Sequence, residues 1–328
     1  MEFTWFIGID VSKKTLDIAL RKSGETVLST KIANSVEEFT GFINELKNSK
    51  IDIDKTLFCM EHTGVYCMPV IECTENLHLS LWLENAAQIK YSIGMQRGKN
   101  DQVDAIRIAE YADRYLDRAK FYKPTREVIQ KLKSLTRIRR TLLNHYNAIK
   151  TMGKEKDLFL KKDFYTITCS KSIKALELNI KEVDQKIKKL ILDDDNIKRL
   201  FEIVTSVKGI GAVVGAEIIV ATNEFRNFDN PKKFACYAGL APFEHSSGSS
   251  IKRRVRISKN ANMTIKKLIH MSAICAIRHN KELKEYYERK VIEGKSKMSV
   301  VNVLRNKLIQ RIFACVRDNR KYEYIYSN

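Results

Sequence analysis

The sequence predicts an α/β domain of five strands at the N-terminus, a helical middle, and a mostly α C-terminal domain. Three observations carry that prediction. Short apolar runs separated by turn residues fill positions 4–33. Apolar residues recur at steps of three and four from 125 to about 200. Beyond 201, apolar helical stretches are joined through glycine. The chain has 328 residues, enough for about two domains with their own cores. The expected divisions are 1–122, 123–200 and 201–328.

The first two strands are WFIGIDV and TLDIALR, with Ser12-Lys13-Lys14 between them. The third, ETVLSTKIA, follows Ser23-Gly24, which makes a hairpin meander. NSVEEFTGFINELKN has a capping start at Asn34 or Ser35 followed by Glu37 and Glu38, and Phe39, Phe42, Ile43 and Leu46 at helical spacing. KTLFCME is a fourth strand, GVYCMPVIECTEN a helix and LSLWLEN a fifth strand. The order β-β-β-α-β-α-β is that of an RNase H-like, RuvC-like fold.

In the middle, Val128, Leu132, Leu135, Ile138 and Leu142 step by three and four. After an expected break near Gly153, Ile173, Leu176, Ile180, Val183, Ile187 and Leu190 form a heptad seam with charged flanks. This predicts a helical hairpin or coiled coil, and leaves open whether it pairs within one chain or between two. In SVKGIGAVVGAEIIVA, two helical stretches meet at Gly209-Ile210-Gly211, which resembles a helix-hairpin-helix. In such a turn Gly209 and Gly211 let backbone amides approach a DNA phosphate, with Lys208 beside them; the alternative is a plain helix turn.

Apolar residues are 44% and charged residues 30% of the chain, which excludes a disordered polypeptide. No run of eighteen apolar residues predicts a membrane span, and no basic-then-apolar leader begins the chain. The seven cysteines include no CxxC pair, so we expect reduced cysteines, several of them in apolar runs (Cys59, Cys236, Cys275), and a cytoplasmic protein. Lys and Arg number 59 against 39 acids, a formal net charge of +20. Such an excess attracts polyanions, nucleic acid above all.

Against that charge, an acid closing an apolar strand needs a partner. Asp10 ends the first strand and Glu61 the fourth, and in this topology those strands are neighbours. In KNDQVDAIRIAEYA, Asp101 and Asp104 lie three apart at a helix start, on one face. Four carboxylates at one sheet end suit Mg²⁺, which takes hard oxygen ligands, and phosphoryl transfer uses such ions to activate one oxygen and neutralise another. Singly, each acid also reads as a turn or capping residue. Asp17, flanked by Leu16 and Ile18, is expected to face solvent, and His62 to be a simple neighbour of Glu61.

A second unusual stretch runs from 246 to 281, with nine Lys or Arg residues and no acid. Its small-residue loop, Ser246 to Ser250, precedes Lys252, Arg253, Arg254, Arg256 and Lys259. A serine beside guanidinium groups suits phosphate binding, and also suits attack on a phosphate. Chemistry alone favours the passive reading, a solvated loop that clamps DNA.

GIDVSKKTLDIAL, EHTGVY and KNDQVDAIRIAEYA resemble the signature blocks of the DEDD transposases of insertion-sequence family one-ten. KGIGAVVGAEI, FACYAGLAP and SSGSSIKRRVRISKNAN resemble that family's C-terminal block, in order and spanning nearly the whole chain. The family includes Piv-like DNA invertases. The resemblance implies a recombinase that moves an insertion sequence through a circular intermediate. It implies a magnesium-binding DEDD set at Asp10, Glu61, Asp101 and Asp104, and a serine nucleophile at Ser247, with Ser246 as the near alternative. It further implies donor and target DNA, a structured bridge RNA that pairs with both, and dimers joining into a tetramer in a bacterial, nucleoid-associated setting. The chain departs from the family's usual Lys-x-Gly-Asn at Lys259-Asn260-Ala261-Asn262, and has Ile265-Lys266 where Leu-Arg is usual. Two rivals remain: a RuvC-like junction nuclease in which water attacks, and a non-catalytic nucleic-acid-binding regulator.

Overall fold

A computed structural model describes residues 2–92, 100–156, 164–241, 243–247, 251–256 and 261–323. The chain forms two compact units, Met1–Pro124 and Thr125–Asn328.

The first unit holds a five-stranded sheet of β1 (Trp5–Val11), β2 (Thr15–Lys22), β3 (Glu25–Ala33), β4 (Thr56–Glu61) and β5 (Ser80–Glu84), ordered β3-β2-β1-β4-β5. The hairpins make β1, β2 and β3 antiparallel. Helical crossovers make β4 parallel to β1 and β5 parallel to β4. This is the arrangement expected from the order of elements. Helices α1 (Val36–Asn48) and α2 (Met68–Asn76) pack on one face, where Ile7, Ile9, Leu16, Ile18, Phe58 and Met60 meet Phe39, Ile43 and Val70. Ser35 caps α1 by accepting from the Glu38 amide, whereas Asn34 donates to the carbonyls of Ser12 and Tyr66. A single 3-10 turn, Gly64–Cys67, precedes α2 inside the stretch expected to be one helix. A short helix, α3 (Ala86–Ser92), follows β5.

The other face carries α4 (Asp101–Arg114). Alternation along β1 sends Ile7 and Ile9 to α1, and Phe6, Gly8 and Asp10 to the α4 side. At Gly8 the helix backbone reaches the sheet: a Cβ there would stand 2.2 Å from the Ala105 carbonyl oxygen and 2.2 Å from the Ala109 nitrogen. Ala19, Ala105 and Ala109 complete this close contact. Neither helix nor strand backbone can yield to one methyl group. Gly8→Ala is therefore expected to cost about 3 kcal/mol or more, the upper range of overpacking, measured by urea unfolding. A loss under about 1 kcal/mol would mean α4 is not seated there.

The second unit is mostly helical. Its helices are α5 (Glu127–Lys156), α6 (Phe164–Thr168), α7 (Ser170–Leu192), α8 (Asp195–Ser206), α9 (Ala212–Thr222), α10 (Pro231–Tyr237), α11 (Met263–His279), α12 (Lys281–Ile292) and α13 (Lys297–Arg317). A hairpin of β6 (Phe243–Ser247) and β7 (Ile251–Arg256) stands between α10 and α11. Helices α5 and α7 pack through Ile129, Leu132, Val183, Ile187 and Ile191, with Arg139 on Asp184 at 2.6 Å. The α5 seam runs through Ile129, Leu132 and Thr136, while Ile138 is exposed. The helix also continues through Gly153, where a break was expected, because one glycine costs an otherwise good helix only about 1 kcal/mol. Cys59, Cys67, Cys73 and Cys315 are buried, but Cys275 lies on the exposed side of α11, so its apolar run is not a core position.

Candidate active site

The β1–β4 register pairs Ile9 with Met60, so Asp10 and Glu61 are the next residues along two adjacent parallel strands. Asp10 pairs with Asp17 across the β1–β2 hairpin, Asp17 with Lys31 on β3, and Glu61 with Glu84 on β5. One row of charged residues thus crosses the sheet: Lys31, Asp17, Asp10, Glu61 and Glu84. Residues directly opposite share a face, and for this row it is the α4 face, since Asp10 lies two residues beyond Gly8.

Asn100 caps α4 by accepting from the Gln102 amide, placing Asp101 and Asp104 in the first turn. Carboxylates there also meet the favourable end of the helix dipole. Because Ala105 and Ala109 lie on Gly8, the preceding turn falls beside Asp10. Burial, then the negative charges of Asp101, Asp104, Glu61 and Asp17, push the Asp10 carboxyl up from 3.8 to about 6. The four predicted acids therefore share one electrostatic field at one end of the sheet. They do not close into a coordination shell: among the described residues no three His, Cys, Asp or Glu side chains stand together so as to hold a metal ion. Asp104 is partly neutralised by Arg107 at 2.7 Å.

Asp17 does not face solvent. It is buried, 4% exposed, and paired with Lys31 at 3.0 Å. The leucine–isoleucine alternation correctly put it on the opposite face from Leu16 and Ile18, but that face is covered by α4. Sequence reasoning also missed Lys31, Glu84 and Tyr111, whose hydroxyl donates to Glu84 at 3.2 Å. Counting outward from the Ser23-Gly24 turn would set Thr30 opposite Asp17; a register shift at Leu20/Arg21 brings Lys31 there instead, which is why the row could not be counted from the turns. His62 is exposed, its amide bonded to the Glu84 carbonyl.

Ser246 and Ser247 belong to strand β6, where Ser246 pairs with Lys252 and Ser247 with Ile251. They were expected in a loop; the connection 248–250 lies outside the described residues, as does Lys259. Lys252, Arg253, Arg254 and Arg256 all fall on β7. The two glycines of the expected helix-hairpin-helix have different surroundings. Gly209 has φ +99°, and a Cβ there would lie 2.8 Å from the Ser272 carbonyl of α11, so protein packing requires glycine. Gly211 begins α9 in open space with no side-chain cap, and Lys208 is exposed.

Comparison with known proteins fits this geometry. A model described as the Transposase IS116/IS110/IS902 family matches residues 201–288, and a model of DEDD transposases of the IS110 type matches residues 7–152. The chain belongs to the IS110-type DEDD transposases. As a member it is a DNA transposase/recombinase enzyme. This transposase is 24% identical to a pilin gene-inverting protein of Moraxella bovis over 324 residues, covering 97% of each chain. It is 29% identical to the 42 kDa protein of insertion element IS900 of Mycobacterium paratuberculosis over 154 residues, 47% of this chain and 37% of that one. A solved RuvC chain of T. thermophilus, in complex with a Holliday junction substrate, aligns with 36% of this chain and 99% of its own at 11% identity and a TM-score of 0.29, a likeness too slight to bear on function. Among the described residues no helix is long and apolar enough to cross a membrane.

Proposed function

We propose that this transposase excises and inserts an insertion sequence by a serine-linked strand transfer, with the acid quartet as its metal-binding centre. The observation that carries the reading is the Asp10 carboxyl, held at a strand end in the combined field of Glu61, Asp101 and Asp104.

The donor set fits a hard divalent cation in kind: the ligands are all oxygen, and the clustered charge leaves Asp10 reluctant to ionise. Asp10, Glu61, Asp101 and Asp104 would hold Mg²⁺, which when bound supplies charge neutralisation at a phosphate. The chain's own residues do the rest. Arg107 keeps Asp104 in place, and Lys31 pairs with Asp17, the carboxylate opposite Asp10. The Oγ of Ser247, or of Ser246, attacks a DNA phosphorus. The P–Oγ bond forms, the bond to the leaving deoxyribose oxygen breaks, and the serine proton passes to that oxygen. A second strand's hydroxyl then attacks the phosphoserine and releases the serine. Arg253, Arg254 and Arg256 would offset charge developing on phosphorus, while Lys208, Gly209, Gly211, Lys252 and Lys259 contribute backbone-phosphate contacts. We place the divisions of labour at 1–122 for the acids, 123–200 for a helical arm and 201–328 for the serine. Dimers joining into a tetramer would let one subunit's serine meet another's acids, and a bridge RNA would choose donor and target.

The products test this. A plasmid carrying the element, incubated with protein and Mg²⁺, is expected to give sealed circular junctions with no net hydrolysis. Hydrolysed ends alone would favour the RuvC-like nuclease, and unaltered DNA with tight binding the regulator. Treating the purified protein with nuclease and then extracting it should still yield a protected structured RNA.

A further inference from the structure

Helices α11 and α13 pack side by side, and neither contains an acid. From Gly294 to Arg317 the basic residues Lys295, Lys297, Arg305, Lys307, Arg311 and Arg317 have no carboxylate among them. Arg311 finds Glu282 at 2.6 Å. Arg305 finds none. It is 7% exposed, and its partners among the described residues are His270 Nδ1 at 2.6 Å and the Met298 sulfur at 3.4 Å, while its Nε is buried without an acceptor. A guanidinium stays charged, and a buried charge facing only neutral groups is costly to keep.

The surroundings say what would compensate it. Arginine only donates, so His270 Nδ1 must accept; the ring is neutral and its proton sits on Nε2, a second donor. Burial and the Arg305 charge both push the His270 pKa down, which keeps that tautomer. The Arg305 side chain runs back two turns to Met298, which lies in the first turn of α13 and is 62% exposed. Ser296 caps that turn through the Ser299 amide, leaving the amides of Lys297 and Met298 without intrahelical acceptors. One turn along α13, Asn302 donates to the Leu240 carbonyl at 3.1 Å, just before the β6–β7 hairpin. Donors and a guanidinium with no carboxylate partner among the described residues thus gather where α13 meets Leu240.

We propose that Arg305, the Nε2–H of His270 and the first-turn amides of α13 form an oxyanion site that takes a phosphodiester of the nucleic-acid backbone. The assignment of nucleic acid as its source rests on the transposase reading; the phosphate chemistry does not. Wild-type protein labelled with ¹⁵N-histidine is titrated with inorganic phosphate, against chloride at equal ionic strength. The His270 Nε2 resonance is expected to move with phosphate only; an unmoved resonance overturns the site. Duplex DNA and single-stranded RNA are then added as competitors. Displacement of phosphate by either supports a backbone site, and displacement by neither reduces it to a free-phosphate site and overturns the proposal. In parallel, Arg305→Met should weaken duplex binding about tenfold and make the log–log salt dependence shallower by about 0.9. A variant that is more thermostable with affinity and salt slope unchanged would make Arg305 a core residue only. The phosphate titration needs no catalysis, so its outcome is separate from that of the strand-joining assay.

Discussion

Asp10→Asn is expected to abolish strand transfer and at the same time to make the metal-free protein more stable. The two effects have one cause. In the folded chain the Asp10 carboxyl is pushed up from 3.8 to about 6 by burial and by the neighbouring acids. Between those values the native state holds a proton that the unfolded chain releases. Stability therefore falls as pH rises from about 4 to about 6, and above that the full penalty remains. The displacement corresponds to at most ~3 kcal/mol, and solvent at a half-buried carboxylate reduces it to about 1–2 kcal/mol. Asparagine keeps the shape and removes the charge. The variant should therefore gain about 1–2 kcal/mol at pH 7 in chelator and lose the fall in stability between pH 4 and 6. Thermal and urea unfolding across pH measure both. Mg²⁺ should stabilise wild type and leave the variant unmoved, since binding to the native state alone shifts the equilibrium. Joined product should fall below detection. A variant that is less stable in chelator, or one that still joins strands, would remove Asp10 from the centre.

Ser247→Ala is expected to eliminate covalent protein–DNA adducts without weakening DNA binding. Removing a nucleophile typically lowers the rate by on the order of 10⁴-fold or more, whereas one lost hydroxyl changes a large, charge-driven binding free energy little. Adducts trapped by denaturation and resolved on a gel give the first quantity, and a binding isotherm at fixed salt the second. Ser246→Ala is the matched comparison, because both residues lie on β6 and pair with consecutive residues, Lys252 and Ile251, of β7. Adducts that survive Ser247→Ala but not Ser246→Ala move the nucleophile by one residue. Adducts that survive both refute serine attack.

The sheet was legible because its pattern is local. Turn residues at 12–14 and 23–24 set the hairpins, and apolar crossover helices set the parallel strands. Asp10 and Glu61 were legible for the same reason, as acids closing apolar strands that the topology makes neighbours. Asp17 was not. Alternation tells which residues share a face but not whether a helix covers it, and α4 arrives from far downstream, with Ala105 and Ala109 lying over Gly8. Gly8 itself gave no signal, because a glycine in a strand reads equally as a bulge or a close approach. In the second unit, spacing alone put Ile138 on the seam, where packing left it exposed, and put a break near Gly153, where α5 runs on to Lys156. Arg305 was invisible: an arginine followed by Asn306 and Lys307 looks like any surface cation until its neighbours are seen.

Crystals of the transposase soaked in Mn²⁺ and measured at the manganese edge test the central claim most directly. An anomalous peak bounded by Asp10, Glu61, Asp101 and Asp104, present in wild type and gone in Asp10→Asn, is the predicted result. Manganese bound elsewhere on the chain, or none at the end of β1 and β4, would contradict it.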